Sequence, residues 1–212
     1  MTLSESFHSA FDANGMVAIL RGVRHDQALS IGEALLQAGI RFIEVPLNSP
    51  EPLLSIRALR QGLPDHAWIG AGTVVKPLEC DEVLAAGAQF IVMPHSDLAV
   101  VRRAKALGLV CGPGVATPTE AFAALEAGAD LLKMFPAETL GPQAVKAWRA
   151  VLPASVPLVP VGGIDVGAVA AYRAAGARGL GLGSALYRPG DSAEQVAEKA
   201  RAFVRAWQAA PR

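Results

Sequence analysis

Eight short apolar runs recur along the chain, and segments with helical spacing separate them. Each run has the length of a strand, whereas the intervening segments place apolar residues three and four positions apart. A short helix is predicted before the first run, over residues 3–14, and Gly15 ends it. The apolar runs cover residues 16–20, 41–47, 67–73, 90–94, 109–115, 131–136, 157–163 and 179–184.

Several of the helical segments end in Ala-Gly directly before the next apolar run. Glycine is the residue expected just past the end of a helix, so these junctions mark a repeated strand–helix unit. The junctions are Ala38-Gly39, Ala86-Gly87, Ala127-Gly128 and Ala175-Gly176.

Alternating strands and helices predict an α/β fold with a parallel sheet. Eight units favour a (β/α)8 TIM barrel over an open doubly wound sheet, because the runs are apolar on both faces. No linker, low-complexity tract or charge block divides the sequence. We therefore expect residues 1–212 to form a single barrel domain.

Charge and cysteine content narrow the classes of function. The 19 basic and 19 acidic residues balance, and no basic stripe predicts a nucleic-acid or membrane-surface partner. Cys80 and Cys111 lack metal-ligand spacing and are expected to be free thiols in a reducing compartment. The polar first residues indicate no signal peptide, and no apolar run has membrane-spanning length. A soluble, cytoplasmic protein is predicted.

The sixth apolar run contains a lysine at its centre. Alternation places Leu131, Lys133 and Phe135 on one face of this strand and Leu132 and Met134 on the other. If both faces are covered, the pKa of Lys133 should fall because burial disfavours the ammonium form. A neutral amine is a nucleophile that forms a Schiff base with a carbonyl group. The alternative is a lysine that reaches solvent or pairs with a carboxylate.

Other polar residues lie at or near the ends of the first three runs. Arg21 follows the first run, Glu44 lies within the second, and Thr73 ends the third on the face of Ile69 and Ala71. Active sites of (β/α)8 barrels lie at the C-terminal ends of their strands, so one mouth is expected to gather these residues with the lysine.

Glu44 and His95 each allow more than one interpretation. Glu44 is either a proton shuttle beside a Schiff-base lysine or the partner of a salt bridge to Lys133 or Arg21. His95, at the end of the fourth run, is interpreted as a histidine with structural hydrogen bonds rather than a substrate contact. No group of residues has the spacing of a metal site.

Glycine pairs follow the last two runs, at Gly162-Gly163 and at Gly183 with Ser184. Loops at these two positions bind phosphate in many (β/α)8 enzymes through backbone N–H groups. The alternative is that the glycines only permit tight turns. Their occurrence after both strands favours a phosphate site.

The sequence resembles the KDPG/KDPGal aldolase family, class I aldolases that act on 2-keto-3-deoxy-6-phospho sugar acids. The similarity extends from about residue 15 to 205. Its branch-specific positions, Asn48, Val161 and Arg21-Gly22, resemble the 6-phosphogalactonate type more than the 6-phosphogluconate type. The motifs that carry it are AILRG (18–22), IEVPLNSP (43–50), GAGTV (70–74), LKMFPA (132–137) and VGGI (161–164).

The resemblance implies cleavage of 2-dehydro-3-deoxy-6-phosphogalactonate to pyruvate and D-glyceraldehyde 3-phosphate, with a gluconate-type or dual-specificity enzyme as the alternative. It implies a homotrimer that needs no metal or cofactor, because the imine polarises the substrate. The implied roles are the Schiff-base amine for Lys133, general acid/base for Glu44, carboxylate binding for Arg21 and Thr73, and phosphate binding for Gly162, Gly163, Gly183 and Ser184.

Two further hypotheses fit the same barrel. One is a phosphosugar epimerase or isomerase, with Glu44 as base and Lys133 as an electrostatic clamp. The other is a non-catalytic barrel that binds a phosphorylated metabolite. Only an aldolase of class I should form a covalent adduct with pyruvate at Lys133.

Overall fold

The computed structural model describes residues 2–211, so that Met1 and Arg212, the outermost residues of the predicted domain, lie outside it. Its helices are α1 (Leu3–Asn14), α2 (His25–Gln37), α3 (Pro52–Gly62), α4 (Pro77–Ala85), α5 (Leu98–Ala106), α6 (Pro118–Glu126), α7 (Ala137–Arg149, interrupted at Gly141), α8 (Val169–Ala174) and α9 (Ala193–Ala209), with a 3-10 turn at Val166–Ala168 before α8. Its strands are β1 (Met16–Ile19), β2 (Phe42–Pro46), β3 (Trp68–Gly72), β4 (Phe90–Val92), β5 (Val110–Gly112), β6 (Gly114–Val115), β7 (Leu132–Met134), β8 (Leu158–Pro160) and β9 (Leu180–Leu182).

The strands form two parallel sheets. The six-stranded sheet has the order β5-β4-β3-β2-β1-β9, and the three-stranded sheet has the order β6-β7-β8. A parallel bridge between Val161 and Gly181 connects the two sheets on one side. On the other side, the N–H of Leu131 donates to the carbonyl of Cys111 at 3.4 Å, beside β5 and β7. The α/β class with parallel strands is confirmed.

The fifth apolar run contains two strands instead of the one expected. Pro113 separates β5 from β6, because proline has no N–H to donate to a neighbouring strand. The carbonyl of Pro113 still accepts from the N–H of Lys133 at 3.0 Å, which keeps the interrupted segment beside β7. The strand count in the described part of the chain is therefore nine rather than eight.

Helix α1 covers the N-terminal ends of the central strands. Phe7 packs against Phe42, Trp68 and Phe90, the first residues of β2, β3 and β4, with ring centroids 5.0, 5.2 and 5.7 Å away. Phe11 stacks on Phe7 and also contacts Phe42. The predicted leading helix and its end at Gly15 are confirmed, since Gly15 adopts a left-handed conformation. An aromatic core thus fills this end and leaves the opposite end of the strands for a site.

Side chains on the two faces of the strands enter two separate cores. The inner core, which includes Leu131 and the aromatic residues under α1, lies on one face, and Phe135 packs against it. Leu132 and Met134 belong to the outer core between strands and helices. The alternation predicted around Lys133 is therefore confirmed.

The four Ala-Gly junctions have the predicted conformation. Each glycine has a positive φ, between 97 and 101°, and follows the C-cap alanine that comes directly after the last helical residue. Left-handed backbone is readily available to glycine, which explains why the unit recurs with this residue.

Within residues 2–211, no helix combines the length and the apolar character that crossing a membrane requires.

Candidate active site

A cavity of about 440 Å³ opens at the C-terminal ends of the strands. Six of the eight predicted site residues line it, whereas Glu44 and Thr73 lie outside its lining. The six are Arg21, Lys133, Gly162, Gly163, Gly183 and Ser184.

Lys133 is buried at the base of this cavity, with 5% of its surface exposed. Burial is the main cause that lowers its pKa; the Arg21 charge lowers the pKa further, and the Glu44 charge partly opposes both. Its Nζ lies 4.7 Å from the centroid of the Phe135 ring. The ring face attracts the ammonium form, whereas burial disfavours it, and the net direction of the pKa is downward.

Glu44 is a buried carboxylate on the strand next to β1. It is 2% exposed, and burial raises its pKa, although the charges of Lys133 and Arg21 lower the pKa in part. No salt bridge joins Glu44 to Lys133 or Arg21 within the described residues, which argues against a purely structural ion pair. Burial thus shifts the two pKa values in opposite directions, because it disfavours the charged form of both groups.

Gly72 makes room for the Glu44 carboxylate. A Cβ at Gly72 would overlap Oε1 of Glu44, so the missing side chain defines where the carboxylate lies. Glycine within a strand often marks such a close approach, and this signal was present in the sequence. Gly72 is therefore a residue of the candidate site that the sequence analysis missed.

We expect Gly72→Ala to lower kcat by about 100-fold, because displacement of a catalytic group by about 1 Å has an effect of that size. The flexible end of Glu44 should move rather than the backbone, so the fold should remain intact. Steady-state kinetics combined with circular dichroism checks both parts. Unchanged kcat in a folded variant would show that the position of the Glu44 carboxylate is unimportant.

Arg21 is held toward the end of β2. Its Nη1 donates a hydrogen bond to Oδ1 of Asn48, and the neighbouring N–H of Gly22 donates to Oγ of Ser49 at 2.9 Å. These two bonds join the loops that follow β1 and β2. They orient the guanidinium of Arg21 at the wall of the cavity, where it can bind a carboxylate.

Thr73 departs from simple alternation. Ile69 and Ala71, which share its face by period two, belong to the outer core and not to the inner one. Thr73 has a φ of +58°, a left-handed conformation that is rare for a β-branched residue. The face of Ile69 and Ala71 thus points away from the mouth, so alternation does not support a site role for Thr73, which stays a prediction. Backbone strain of this kind is frequent at functional sites.

The glycine turns after β8 and β9 form another wall of the cavity. Gly162 and Gly163 have φ values of 107 and 66°, which only glycine adopts readily. After β9, the carbonyl of Gly183 accepts from the N–H of Tyr187 at 3.0 Å. The N–H groups of Gly183 and Ser184 have no backbone partner within the described residues, so they can donate to an anion.

Further residues that the sequence analysis missed line the same cavity, among them Asp165, Tyr187 and Arg188. They lie on loops, where no strand periodicity predicts the direction of a side chain.

His95 is exposed and does not line the cavity, although the preceding Pro94 does. Within residues 2–211, no group of three or more His, Cys, Asp or Glu side chains has the arrangement of a metal site.

Glu44→Gln is expected to raise the free energy of unfolding at pH 8, because burial raises the folded-state pKa of Glu44 and its charged form destabilises the native protein there. A folded-state pKa above the unfolded value destabilises the native protein wherever Glu44 is charged, and this effect disappears as the pH falls to about 4.3, the unfolded pKa of Glu. Denaturant titrations at pH 8 and 4.5 should therefore show a gain that shrinks with acidification. Glu126→Gln, at an exposed position on α6, serves as the control.

Sequence comparison identifies the family. The family model described as KDPG and KHG aldolase matches residues 8–199. The chain belongs to this family of aldolases. One relative of this chain is 2-dehydro-3-deoxy-6-phosphogalactonate aldolase of Escherichia coli (strain K12). The two are 47% identical over 92% of this chain and 95% of the relative. Another, named a probable 2-dehydro-3-deoxy-6-phosphogalactonate aldolase, is from Rhizobium meliloti (strain 1021), with 44% identity over 92% of both chains.

Solved structures of the family have the same fold as this aldolase. A native KDPGal structure superposes with a TM-score of 0.89 at 47% identity and covers 91% of this chain and 94% of its own. KDPG aldolase from Legionella pneumophila, with pyruvate captured as a covalent carbinolamine intermediate, gives a TM-score of 0.81 at 28% identity, with 93% and 97% coverage. The resemblance noted from the sequence motifs is confirmed at the level of the family.

Proposed function

We propose that the protein is a class I aldolase that cleaves 2-dehydro-3-deoxy-6-phosphogalactonate to pyruvate and D-glyceraldehyde 3-phosphate. The observation that carries the proposal is the buried Lys133 at the cavity, whose lowered pKa favours the nucleophilic amine. The family relationship supports an aldol cleavage, and a relative with pyruvate captured as a carbinolamine supports covalent chemistry in that family.

The reaction begins when Nζ of Lys133 attacks the C2 ketone of the substrate. Loss of water from the carbinolamine gives an imine, and the protonated imine withdraws electrons from the neighbouring carbon. The Phe135 ring, 4.7 Å from Nζ, helps to exclude water from this step. Arg21 lines the same cavity as Lys133 and binds the carboxylate beside the ketone in this proposal, because its guanidinium fork suits a planar anion.

Glu44 moves the proton that bond cleavage requires. Directly or through one water molecule, it removes the proton of the C4 hydroxyl while the C3–C4 bond breaks, which releases D-glyceraldehyde 3-phosphate. The enamine on Lys133 is then protonated at C3 and hydrolysed to pyruvate. Burial raises the pKa of Glu44, and a raised pKa makes the carboxylate a better proton acceptor in the cleavage step.

The backbone donors of Gly162, Gly163, Gly183 and Ser184 bind the phosphate in this proposal. Their turns lie in the cavity that also contains Lys133, so one substrate can contact both. Binding of the distant phosphate orients the reacting bond, as remote groups do in many enzymes. Thr73 is proposed to help bind the substrate carboxylate through its backbone. This backbone has a left-handed conformation directly after Gly72.

Turnover of the two epimeric substrates tests the proposal. The galactonate configuration is supported by the names of two relatives with 47% and 44% identity. We expect one pyruvate and one glyceraldehyde 3-phosphate per molecule of 2-dehydro-3-deoxy-6-phosphogalactonate, with a higher kcat/KM than for the gluconate epimer. A preference for the gluconate epimer would reverse the substrate assignment. Isomerised substrate without pyruvate would favour an epimerase, and binding without turnover a metabolite-binding protein.

The proposal includes a single closed (β/α)8 barrel in which β5 and β6 count as one interrupted strand. The bridge between Val161 and Gly181 and the hydrogen bond from Leu131 to Cys111 support closure on the two sides. One cooperative unfolding transition is expected, and two separate transitions would contradict a single domain.

A homotrimer, expected from the family resemblance, is testable by light scattering. The cytoplasmic location stays a prediction.

A further inference from the structure

The cavity contains a second guanidinium besides that of Arg21, and it belongs to Arg188. We infer that Arg188 is the cation that binds the phosphate group of the substrate, next to the backbone donors of the glycine turns. The inference rests on the proposed function, because it assigns a residue to the phosphate end of the proposed substrate.

Arg188 is anchored at the turn that follows β9. Its Nε donates to the carbonyl of Ser184 at 3.0 Å, so the guanidinium lies over the turn that carries two free backbone donors. The N–H of Arg188 donates to Oδ2 of Asp191 at 2.8 Å, and Nζ of Lys199 donates to the same carboxylate at 2.7 Å. The backbone of Arg188 is thus fixed from α9.

A contact with the loop after β1 holds the same segment in place. Pro189 packs so closely on Gly22 that a Cβ at Gly22 would lie 2.8 Å from Cγ of Pro189. Gly22 also has a φ of +79°, so this loop depends on glycine. Contacts on both sides of Arg188 therefore limit its freedom, and a preorganised donor loses less entropy when it binds an anion.

Two carboxylates lie near the glycine turns, where the phosphate is proposed to bind. Asp165 lines the cavity, and the side chain of Glu138 lies against Gly163. A phosphate group carries between about −1.5 and −2 charges at pH 7, so two nearby carboxylates would repel it. The guanidinium of Arg188 forms no salt bridge within the described residues, which leaves its Nη groups available.

Arg21 does not fill this role, because its Nη1 donates to Asn48 beyond the end of β2. Arg188 instead donates to Ser184 beyond the end of β9. The substrate has two anionic groups, a carboxylate beside the ketone and a phosphate at the other end. Two arginines held over different strands match this charge pattern, with Lys133 in the same cavity.

Substitution of Arg188 tests the inference by comparing substrates with and without the phosphate. For Arg188→Gln, we expect kcat/KM for 2-dehydro-3-deoxy-6-phosphogalactonate to fall roughly 10- to 100-fold, mainly through KM, the loss expected for a charge-assisted hydrogen bond. The kcat/KM for 2-dehydro-3-deoxygalactonate should stay within about twofold of wild type. Arg188→Lys should recover part of the loss, because a lysine restores charge without the fork.

Arg102→Gln, at an exposed position on α5, is the matched control and should behave as wild type with both substrates. Equal losses on the phosphorylated and unphosphorylated substrates, or no loss on either, would overturn the role of Arg188. Calorimetric binding of inorganic phosphate to wild type and Arg188→Gln provides a second readout that needs no turnover. Weaker phosphate binding to the variant supports the inference, and equal binding overturns it. Failure of the proposed function would instead appear as absent pyruvate trapping at Lys133 in the wild type.

Discussion

Lys133→Met is expected to lower kcat by at least about 10⁴-fold, the scale seen when a covalent nucleophile is removed. Methionine fills a similar volume among apolar neighbours, so the fold should remain and only the amine is lost. Without an imine, no electron sink stabilises the carbanion that C3–C4 cleavage creates. A lactate dehydrogenase-coupled assay for pyruvate measures the effect.

Two further substitutions make this prediction specific. Lys133→Arg keeps a positive charge but cannot form an imine, so it should be as inactive as Lys133→Met. Lys146→Met, at an exposed position on α7, should retain wild-type activity. Substantial activity in Lys133→Arg would mean that the charge and not the nucleophile is required, as in the epimerase hypothesis.

Glu44→Gln should lower kcat by about 10²- to 10⁴-fold, because it removes the group that transfers protons in the cleavage step. Imine formation should survive, since the amide keeps the shape of the carboxyl group and Lys133 remains buried. Rapid-quench experiments with borohydride separate the two steps: the imine should accumulate while glyceraldehyde 3-phosphate appears slowly.

The outcome that contradicts this role is specific to the step. If the variant forms the imine slowly but cleaves it at the normal rate, Glu44 acts in dehydration of the carbinolamine and not in C3–C4 cleavage. If kcat is unchanged, the buried carboxylate has no catalytic role. In the latter case its raised pKa reflects burial alone.

Sequence reasoning succeeded where strand periodicity applied. Lys133 lies in the middle of a strand with apolar neighbours on both sides, so alternation was sufficient to direct it toward the inner face. Alternation did not support Thr73, because Ile69 and Ala71, which share its face by period two, belong to the outer core. Sequence reasoning also predicted one strand where Pro113 divides the run into two, although the proline itself was a visible signal.

The loops limited what the sequence could predict about the site. Arg188 enters the cavity because Ser184 and Asp191 fix its position, and these contacts depend on the path of the loop between β9 and α9. Gly72 was predictable in principle as a glycine inside a strand, but its partner Glu44 is 28 residues earlier and comes near only through the pairing of β2 with β3. Tertiary structure, more than local pattern, completes the site.

Covalent trapping tests the central claim most directly. The wild-type protein is incubated with pyruvate and sodium borohydride, and the modified peptide is identified by mass spectrometry. The proposal predicts one reduced pyruvate adduct per chain, on Lys133, and no adduct in Lys133→Met. An adduct on a different lysine, or no adduct under conditions in which the protein is folded, would contradict the assignment of Lys133 as the Schiff-base amine.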